Sequence, residues 1–298
     1  MSLKVGLIGL GPMGGNIAGN LLKKQFAVAG YDLIQANIDA LDDLGLDASS
    51  SVAEVAEKAD VLISSLPSYG ALQSVISDLK AVSKPGQVLI ECSTLQVDQK
   101  IEAAGMLKDD GRIMLDSPIS ATPAMLAKGM ASIHISGEKD AFEKCLAIFE
   151  GFTASNFYVG EVGNGSRMKI LANYLVHVHT TAAAEAMVLG QKAGLDPHMI
   201  QEVLSASAGT SKMMEIRGKF MADSDYREGG GTMFAIFEKD ASIITEFAAQ
   251  VHAPIDLYVS ARQKLNSTIA LGYGHLDTSA VCKGIEVAVG IDRDIVED

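Results

Sequence analysis

Cysteine is scarce in this 298-residue chain, which contains only three. Cys92, Cys145 and Cys282 show neither the paired spacing of a disulfide framework nor the Cys-x-x-Cys spacing of a metal site. No cluster of histidine, cysteine and acidic residues has metal-ligand spacing either, so no metal is expected. Such cysteine usage fits a reducing compartment, and we expect a cytoplasmic protein.

Long apolar runs and basic charge are scarce as well. No stretch reaches the roughly 18 uninterrupted apolar residues that suggest a membrane span, and the N-terminus lacks the basic flank and cleavage site of a signal peptide. The chain carries 24 basic and 37 acidic residues, for a formal net charge of −13, which repels a phosphate backbone. We therefore expect a soluble globular protein with neither a nucleic-acid nor a membrane partner.

The first half of the chain alternates short, apolar, β-rich runs with helical patterns. The runs predicted as strands are Lys4–Ile8, Phe26–Tyr31, Val61–Ser65, Gln87–Glu91, Arg112–Asp116, Ser132–Ser136 and Asn156–Val159. Helices are predicted between several of them, for example over 13–24 and 71–81. This alternation indicates an α/β fold, with a doubly wound Rossmann-type domain built on a largely parallel sheet.

The pattern changes after Val159. Residues 166–193 contain no proline and a single glycine, which predicts one long helix that ends at Gly194. The remaining sequence is predicted to form further helices. We therefore predict a dinucleotide-binding domain over residues 1–162 and an all-α substrate and oligomerisation domain over 163–298, with a long interdomain helix.

A glycine-rich turn joins the first predicted strand to the first helix. It consists of Gly9, Leu10, Gly11, Pro12, Met13 and Gly14. Glycines at these positions allow a tight turn, a close approach of backbone to pyrophosphate, and close packing of helix on strand. The helix N-terminus then offers free N–H groups to the phosphates. The motif alone is weak, because an ordinary glycine-rich turn looks the same.

An acidic residue strengthens the prediction of a dinucleotide site. Asp32 closes the second predicted strand, at about the distance where an acid accepts hydrogen bonds from the adenosine ribose. Its carboxylate repels a 2′-phosphate, and residues 33–35 contain no arginine to compensate. We therefore expect NAD as the cofactor rather than NADP.

Two later strand ends are predicted to border the same crevice, because ligands in such sheets lie at the carboxyl ends of the strands. Leu66 and Pro67 follow one strand, and Ser93 and Thr94 follow the next. Their hydroxyl and backbone N–H groups are candidate contacts of the cofactor.

The long predicted helix begins with residues that carry chemistry. Lys169 and Asn173 are four apart and share one face of it. By itself this spacing is typical of a solvated helix face. His177 continues the stripe, where a histidine is more often an interior residue than a ligand.

The order of four motifs resembles the β-hydroxyacid dehydrogenase family, which includes 3-hydroxyisobutyrate dehydrogenases. After the glycine turn come Asp-x-Pro-x-Ser at residues 116–120, Gly-x-Gly-x-x-x-Lys-x-x-x-Asn at 163–173, and Lys-Asp at Lys239 and Asp240. The resemblance covers essentially the whole chain. It implies an NAD(P)-dependent oxidoreductase acting on a CH–OH group of a small hydroxy acid or its semialdehyde.

The resemblance also implies roles for individual residues. Lys169 would be the general acid/base, and Asn173 would bind the substrate hydroxyl or hold the lysine in place. A lysine does this near neutral pH only if burial or nearby cations lower its pKa, and Arg167, Lys212 and Lys239 are the candidate cations. Lys239 would contact both cofactor and substrate, and Asp240 would help to position its helix.

The substrate loop is where this chain departs from the family. Ser120 matches, but Ala121 and Thr122 stand where the family has two glycines, and Pro123 follows. Thr232 replaces an aromatic residue common near the Lys-Asp motif. The added methyl and hydroxyl groups lie on the predicted substrate side, so we expect them to change the substrate rather than the reaction type.

Two alternatives remain at this point. A 6-phosphogluconate dehydrogenase-like decarboxylase has a histidine just before the asparagine, where this chain has Ala172. A non-enzymatic NAD-binding sensor would retain the glycine turn and lose the proton donor, whereas this chain retains Lys169. The resemblance further implies a homodimer or homotetramer built through the helical domain.

Overall fold

A computed structural model describes residues 3–227 and 234–293. The chain divides into two compact units, residues 1–169 and residues 170–298. Thr232, which departs from the family pattern in the sequence, lies outside the described residues.

The first unit is built on a six-stranded sheet in which all strands are parallel, in the order β3-β2-β1-β4-β5-β6. The strands are β1 Val5–Ile8, β2 Val28–Tyr31, β3 Asp47–Ala48, β4 Val61–Ser64, β5 Val88–Glu91 and β6 Ile113–Asp116. Between them lie α1 Pro12–Lys23, α2 Gln35–Asp39, α3 Val52–Lys58, α4 Tyr69–Leu79 and α5 Val97–Asp109. This strand order is that of a doubly wound dinucleotide-binding fold. The predicted fold class is therefore confirmed.

Both faces of this sheet are buried, which explains why its strands are continuous apolar runs. Successive residues of a strand point to opposite faces. Accordingly, Ile63 and Ile90 belong to a core with α1, whereas their neighbours Leu62 and Leu89 belong to a core with α3, α4 and α5.

A second, three-stranded sheet follows in the same unit, in the order β7-β8-β9. Its strands are β7 Ile119–Ser120, β8 Ser132–Ile135 and β9 Ser155–Tyr158, and its helices are α6 Pro123–Ala127 and α7 Lys139–Phe152. The strand β7 is antiparallel to β8, whereas β8 and β9 are parallel. The apolar pattern predicted β8 and β9 as strands but did not separate them from the parallel sheet, because strand pairing is set by tertiary contacts.

The described residues of the second unit are helical. The helices are α8 Asn164–Lys192, which begins in the first unit, α9 Pro197–Ser205, α10 Lys212–Asp223, α11 Phe234–Gln250, α12 Asp256–Ala270 and α13 Val281–Ala288. Gly194 follows α8 with φ +83°, a left-handed conformation that glycine adopts without strain and that commonly ends a helix. The long helix predicted over 166–193 is therefore confirmed, and it starts two residues earlier.

The start of α8 packs closely against β6 and β8 within the first unit. A Cβ on Gly165 would lie 2.5 Å from the carbonyl oxygen of Asp116 and 2.7 Å from that of His134. Only glycine lets the helix backbone come so close to the ends of β6 and β8. This contact fixes the first turn of α8 relative to the ends of β6 and β8.

We expect Gly165→Ala to lower the free energy of unfolding by about 1–3 kcal/mol, because the added methyl group meets backbone atoms that cannot move aside. Denaturant unfolding measures this change. Gly105→Ala is the matched control, since Gly105 lies inside α5 with no atom near the added Cβ, and there alanine stabilises a helix by about 0.5–1 kcal/mol. Equal effects of the two substitutions would contradict the close packing at Gly165.

Candidate functional site

The glycine turn between β1 and α1 is crowded at its ends and open in the middle. A Cβ on Gly9 would lie 2.4 Å from the carbonyl oxygen of Ser65, and one on Gly14 would lie 1.8 Å from the carbonyl oxygen of Gly9. A Cβ on Gly11 would meet no atom within 4 Å. Glycines 9 and 14 are thus required by the fold, while the space beside Gly11 is available to a ligand.

The start of α1 has the features of an anion site. Gly11 occupies the N-cap position without a side-chain cap, and Pro12 is the first helical residue. Because no cap side chain covers the first turn, its N–H groups can face a phosphate. Met13 packs its side chain against the core below. The residues of this turn therefore fit the pyrophosphate of a dinucleotide.

Asp32 follows β2 and is tied to the glycine turn. Its Oδ2 accepts a hydrogen bond from the Leu10 N–H at 2.6 Å, and its Oδ1 accepts one from the Ile34 N–H at 2.7 Å. The carboxylate is thereby oriented at the end of β2, as the sequence predicts for a ribose ligand. Its contact with Leu10 was not predicted, because it joins two loops 22 residues apart.

The ends of β4 and β5 are joined by one hydroxyl group. The Leu66 N–H donates to the Ser93 Oγ at 2.8 Å, and the Ser93 N–H donates to the Glu91 Oε1 at 3.1 Å. Ser93 is buried, whereas Thr94 is half-buried and Pro67 exposed. The two strand ends thus come together as predicted, and Ser93 has a structural role in addition to its predicted role as a cofactor ligand.

The predicted substrate loop leads from β7 into the short helix α6. Ser120 and Ala121 are half-buried, and the Thr122 Oγ1 caps α6 by accepting a hydrogen bond from the Met125 N–H at 3.3 Å. Pro123 is the first residue of α6, where its missing N–H costs nothing. The Thr122 hydroxyl, which the sequence placed in the substrate pocket, therefore also holds the loop.

Two asparagines of α1 hold the same loop. The Asn16 Nδ2 donates to the carbonyl oxygen of Pro123 at 3.3 Å, and the Asn20 Nδ2 donates to that of Leu126 at 2.7 Å. Sequence reasoning missed these residues, which lie more than 100 positions from their partners. The helix that starts at the glycine turn thus also anchors the predicted substrate loop.

Asp116, the first residue of the Asp-x-Pro-x-Ser motif, anchors the start of α8. Its Oδ2 accepts a hydrogen bond from the Ser166 N–H at 2.8 Å, and its Oδ1 accepts one from the Ser166 Oγ at 2.9 Å. The Gly165 N–H donates to the Ser136 Oγ at 2.9 Å. A carboxylate at a helix N-terminus is favoured by the helix dipole.

Three fully buried charged groups meet at this point. The Lys100 Nζ lies 3.0 Å from the Asp116 Oδ1 and also contacts the Glu91 Oε2, and all three side chains are 0% exposed. Burial by itself lowers the pKa of Lys100, but the charges of Glu91 and Asp116 outweigh it and leave that pKa above its usual value. Lys100 therefore stays charged. Its sequence pattern gave no signal, since a lone lysine on a helix is normally exposed.

Lys169 lies one helical turn after Ser166 and is half-buried. Burial, followed by the charge of Lys169, lowers the pKa of His134 in β8. Two other cations predicted near Lys169 have local partners. The Arg167 Nη1 donates to the Asn164 Oδ1 at 2.8 Å, and the exposed Lys212 pairs with Glu215 at 2.7 Å.

Asn173, one further turn along α8, is held by the Lys-Asp motif. Its Nδ2 donates to the Asp240 Oδ2 at 2.8 Å, and both residues are buried in the second unit. The sequence assigned Asp240 to positioning its own helix, whereas the structure shows that it orients the Asn173 amide. The neighbouring Lys239 is exposed on α11.

Comparison with known proteins agrees with this arrangement. Residues 4–160 match the family model of the NAD-binding domain of 6-phosphogluconate dehydrogenase, and residues 163–285 match that of the NAD-binding domain of NADP-dependent 3-hydroxyisobutyrate dehydrogenase. The 2-(hydroxymethyl)glutarate dehydrogenase of Eubacterium barkeri is 31% identical over 294 residues, which is 97% of each chain.

The L-threonate dehydrogenase of Cupriavidus necator is also 31% identical, over 96% of this chain and 98% of its own. The crystal structure of a 3-hydroxyisobutyrate dehydrogenase from Salmonella typhimurium superimposes with a TM-score of 0.83 at 30% identity, covering 95% of this chain and 99% of its own. The chain belongs to the β-hydroxyacid dehydrogenase family. It is an NAD-binding oxidoreductase, and neither the decarboxylase nor the sensor alternative gains support.

Among the described residues of this β-hydroxyacid dehydrogenase, no helix has the length and apolarity to cross a membrane. Within the same residues, no group of three or more histidine, cysteine and acidic side chains is arranged to hold a metal ion.

His177 extends the Lys169 and Asn173 stripe into the interior of the second unit. It is 1% exposed, stacks on Phe237 with 3.8 Å between ring centroids, and has its Nδ1 3.0 Å from the Tyr258 hydroxyl. Burial, and then the charges of Arg217 and Arg262, lower the pKa of His177 to about 3. The interior role favoured by the sequence is confirmed.

This burial predicts acid sensitivity of the second unit. An unfolded histidine gains a proton as the pH falls below about 6.5, whereas folded His177 stays neutral down to about pH 3. Its contribution to stability is therefore complete above the unfolded pKa and is lost progressively as the pH falls from about 6.5 to about 3. We expect the melting temperature of His177→Gln to fall less steeply than that of wild type between about pH 7 and pH 5.

Scanning calorimetry at several pH values measures this slope. His252→Asn is the control, because His252 lies in an exposed turn with φ +55°, a conformation that asparagine tolerates. A slope for His177→Gln equal to that of wild type and of the control would show that His177 is not the acid-sensitive group.

Proposed function

We propose that this enzyme interconverts a small, 3-hydroxyisobutyrate-like hydroxy acid and its semialdehyde with NAD, using Lys169 as the general acid/base. The observation that carries the proposal is the anchoring of α8, where Asp116 fixes the turn immediately before the half-buried Lys169. A catalytic amine has to be held in place to exchange a proton with one particular oxygen.

In the oxidation direction, the neutral amine of Lys169 accepts the proton of the substrate hydroxyl group. In reduction, its ammonium form donates that proton to the forming alkoxide. When bound, the nicotinamide cofactor would supply the hydride acceptor for oxidation and the hydride donor for reduction.

Asn173 is proposed to bind the same hydroxyl group. Because Asp240 accepts one of its amide hydrogens, the orientation of the amide is fixed. The second N–H and the carbonyl oxygen are then set for substrate or for Lys169. The exposed Lys239 is proposed to contribute positive charge to cofactor and substrate.

The cofactor site is proposed to consist of the glycine turn, Asp32 and the two joined strand ends. The opening beside Gly11 and the uncapped first turn of α1 support a pyrophosphate there. Asp32 supports a ribose without a 2′-phosphate. The remaining cofactor contacts are proposed for Gly9, Pro12, Met13, Gly14, Leu66, Pro67, Ser93 and Thr94.

The substrate carboxylate is proposed to bind at Ser120, Ala121 and Thr122. Relatives of this chain are named for substrates as different as 2-(hydroxymethyl)glutarate and L-threonate. Similarity over the whole chain therefore does not specify the substrate, and we propose that this loop does. The methyl groups of Ala121 and Thr122 leave less space for a substrate beside the loop than the two glycines of the family pattern would.

We further propose that residues 1–162 bind the cofactor and that residues 163–298 bind substrate and form a homodimer or homotetramer. Leu171, Leu175 and Leu189 support this assembly, since they leave apolar surface exposed along α8. A monomer in sedimentation velocity would contradict it.

The three free, buried cysteines support a reducing, cytoplasmic location.

We expect Lys169→Ala to lower kcat by about 10²–10⁴-fold, because the proton exchanged with the substrate oxygen loses its acceptor and donor. The assay follows NADH absorbance with 3-hydroxyisobutyrate, glycerate, threonate and 4-hydroxybutyrate and with the corresponding semialdehydes. NADH affinity should be unchanged, since Lys169 is not proposed to hold the cofactor.

Lys192→Ala is the matched control, because Lys192 is exposed at the other end of α8 and contacts only the carbonyl oxygen of Val289 among its described hydrogen-bond partners. Full activity of Lys169→Ala on the best substrate would rule out the proposed mechanism.

We expect Asp32→Asn to lower the preference for NAD over NADP, expressed as the ratio of kcat/KM values, by about tenfold or more, about 1.4 kcal/mol. The amide oxygen keeps one of the two acceptors that bind backbone N–H groups here, and the neutral side chain no longer repels a 2′-phosphate. Asp43→Asn, an exposed acid in the nearby turn, is the control. An unchanged ratio would mean that the Asp32 carboxylate only organises the turn.

A further inference from the structure

A continuous set of hydrogen bonds and ion pairs runs from the proposed cofactor loops to the helix that carries Lys169. We call it the buried network, and it consists of Leu66, Ser93, Glu91, Lys100, Asp116 and Ser166. The Glu91 Oε1 holds the Ser93 N–H, and its Oε2 contacts the Lys100 Nζ. The same Nζ contacts Asp116, which holds the first turn of α8.

The charges of the buried network make it costly as a purely structural element. Two carboxylates and one ammonium group are removed from water, and apolar residues of similar size often stabilise a protein as well or better. The network carries a net charge of −1, placed against the N-terminus of the 29-residue helix α8, whose dipole stabilises an anion. Its position between two parts of the proposed site suggests a role in arranging them.

We propose that Lys100 is a positioning residue that couples the loop after β5 to the first turn of α8 and so sets the place of Lys169 relative to the cofactor site. Lys100 does so because its one ammonium group binds both carboxylates. Glu91 fixes the cofactor loop through Ser93, and Asp116 fixes α8 through Ser166. The first unit contains every residue of this coupling.

Removal of the Lys100 charge disturbs both sides at once. Glu91 and Asp116 would then be two buried carboxylates without a shared cation, and one of them takes up a proton because two such anions repel each other. A protonated carboxyl group has an O–H donor in place of one acceptor, so it competes poorly for the N–H of Ser93 or Ser166.

The test compares Lys100→Met with Lys108→Met, an exposed lysine on the same helix α5. The double variant Lys100→Met with Glu91→Gln removes the ammonium and one carboxylate together. It leaves Asp116 as the only charge, and the glutamine oxygen still accepts from Ser93. Three quantities are measured: turnover of the best hydroxy acid, NADH dissociation constant by fluorescence, and hydrogen exchange of the amides of residues 163–168.

For Lys100→Met we expect kcat to fall by about tenfold to a hundredfold, as for other small misplacements of a catalytic group. The KM for the hydroxy acid should change little, and the NADH dissociation constant and the exchange of the 163–168 amides should rise by about tenfold, since local opening becomes easier. Lys108→Met should match wild type. In the double variant, kcat, the NADH dissociation constant and the amide exchange should return most of the way to their wild-type values. A simple loss of packing at residue 100 would not allow this recovery.

This inference rests on the proposed role of Lys169, but its test separates the two. Absence of turnover in wild type with every hydroxy acid would reject the proposed function, while NADH affinity and amide exchange would still decide the coupling. Wild-type values of kcat, NADH affinity and exchange in Lys100→Met would overturn it. If Lys100→Met does not fold, Glu91→Gln is the second probe. The proposed coupling then requires faster amide exchange at residues 163–168 in Glu91→Gln, although Lys100 and Asp116 lie between Glu91 and those residues in the network.

Discussion

The buried carboxylate of Asp116 at the start of α8 is the constraint on which the proposed chemistry depends. Asp116 is the last residue of β6. Its carboxylate accepts hydrogen bonds from the N–H and the hydroxyl group of Ser166, and it shares the ammonium group of Lys100 with Glu91. A helix that begins against a fixed anion cannot slide or turn without breaking charge-assisted hydrogen bonds. Lys169 lies one turn later on the same helix, so its backbone is held in place by the same contacts.

On the proposed cofactor side, the three glycines of the turn differ in how closely other atoms approach them. At Gly9 and Gly14 the backbone is packed so closely that a methyl group would overlap a carbonyl oxygen, whereas at Gly11 it borders empty space. The fold itself accounts for two of the three glycines. The third has no steric reason within the described protein, and the proposed approach of a pyrophosphate to the backbone would supply one.

Much of the first unit could be predicted from the sequence because its strands are buried on both faces and read as apolar runs. The strand β3 could not, since Asp47 and Ala48 are both exposed and carry no such signal. The long helix was predictable from a stretch without proline that ends at Gly194. The separate second sheet was not, because an apolar run does not specify its partner strand.

The candidate site was predictable where motifs are local. The glycine turn, Asp32 and the Lys169 and Asn173 pair stand at spacings that carry physical meaning. The partners that orient them were not predictable. Asp240 lies 67 residues from Asn173, and Lys100 appears in the sequence as an ordinary lysine on a polar helix. Contacts of this kind are created by the fold and leave no periodic signal.

The all-parallel sheet also has a consequence for the order in which the molecule assembles. No two adjacent strands of the six-stranded sheet are joined by a hairpin, since each pairing closes a loop that contains at least one helix. The entropy of closing such loops is lost before the strand contacts compensate for it, so these pairings form slowly. The first turn of α8 needs the side chains of Asp116 and Ser136 at the ends of β6 and β8. We therefore expect the proposed catalytic lysine to be among the last groups of its unit to reach its place during folding, after both sheets have formed.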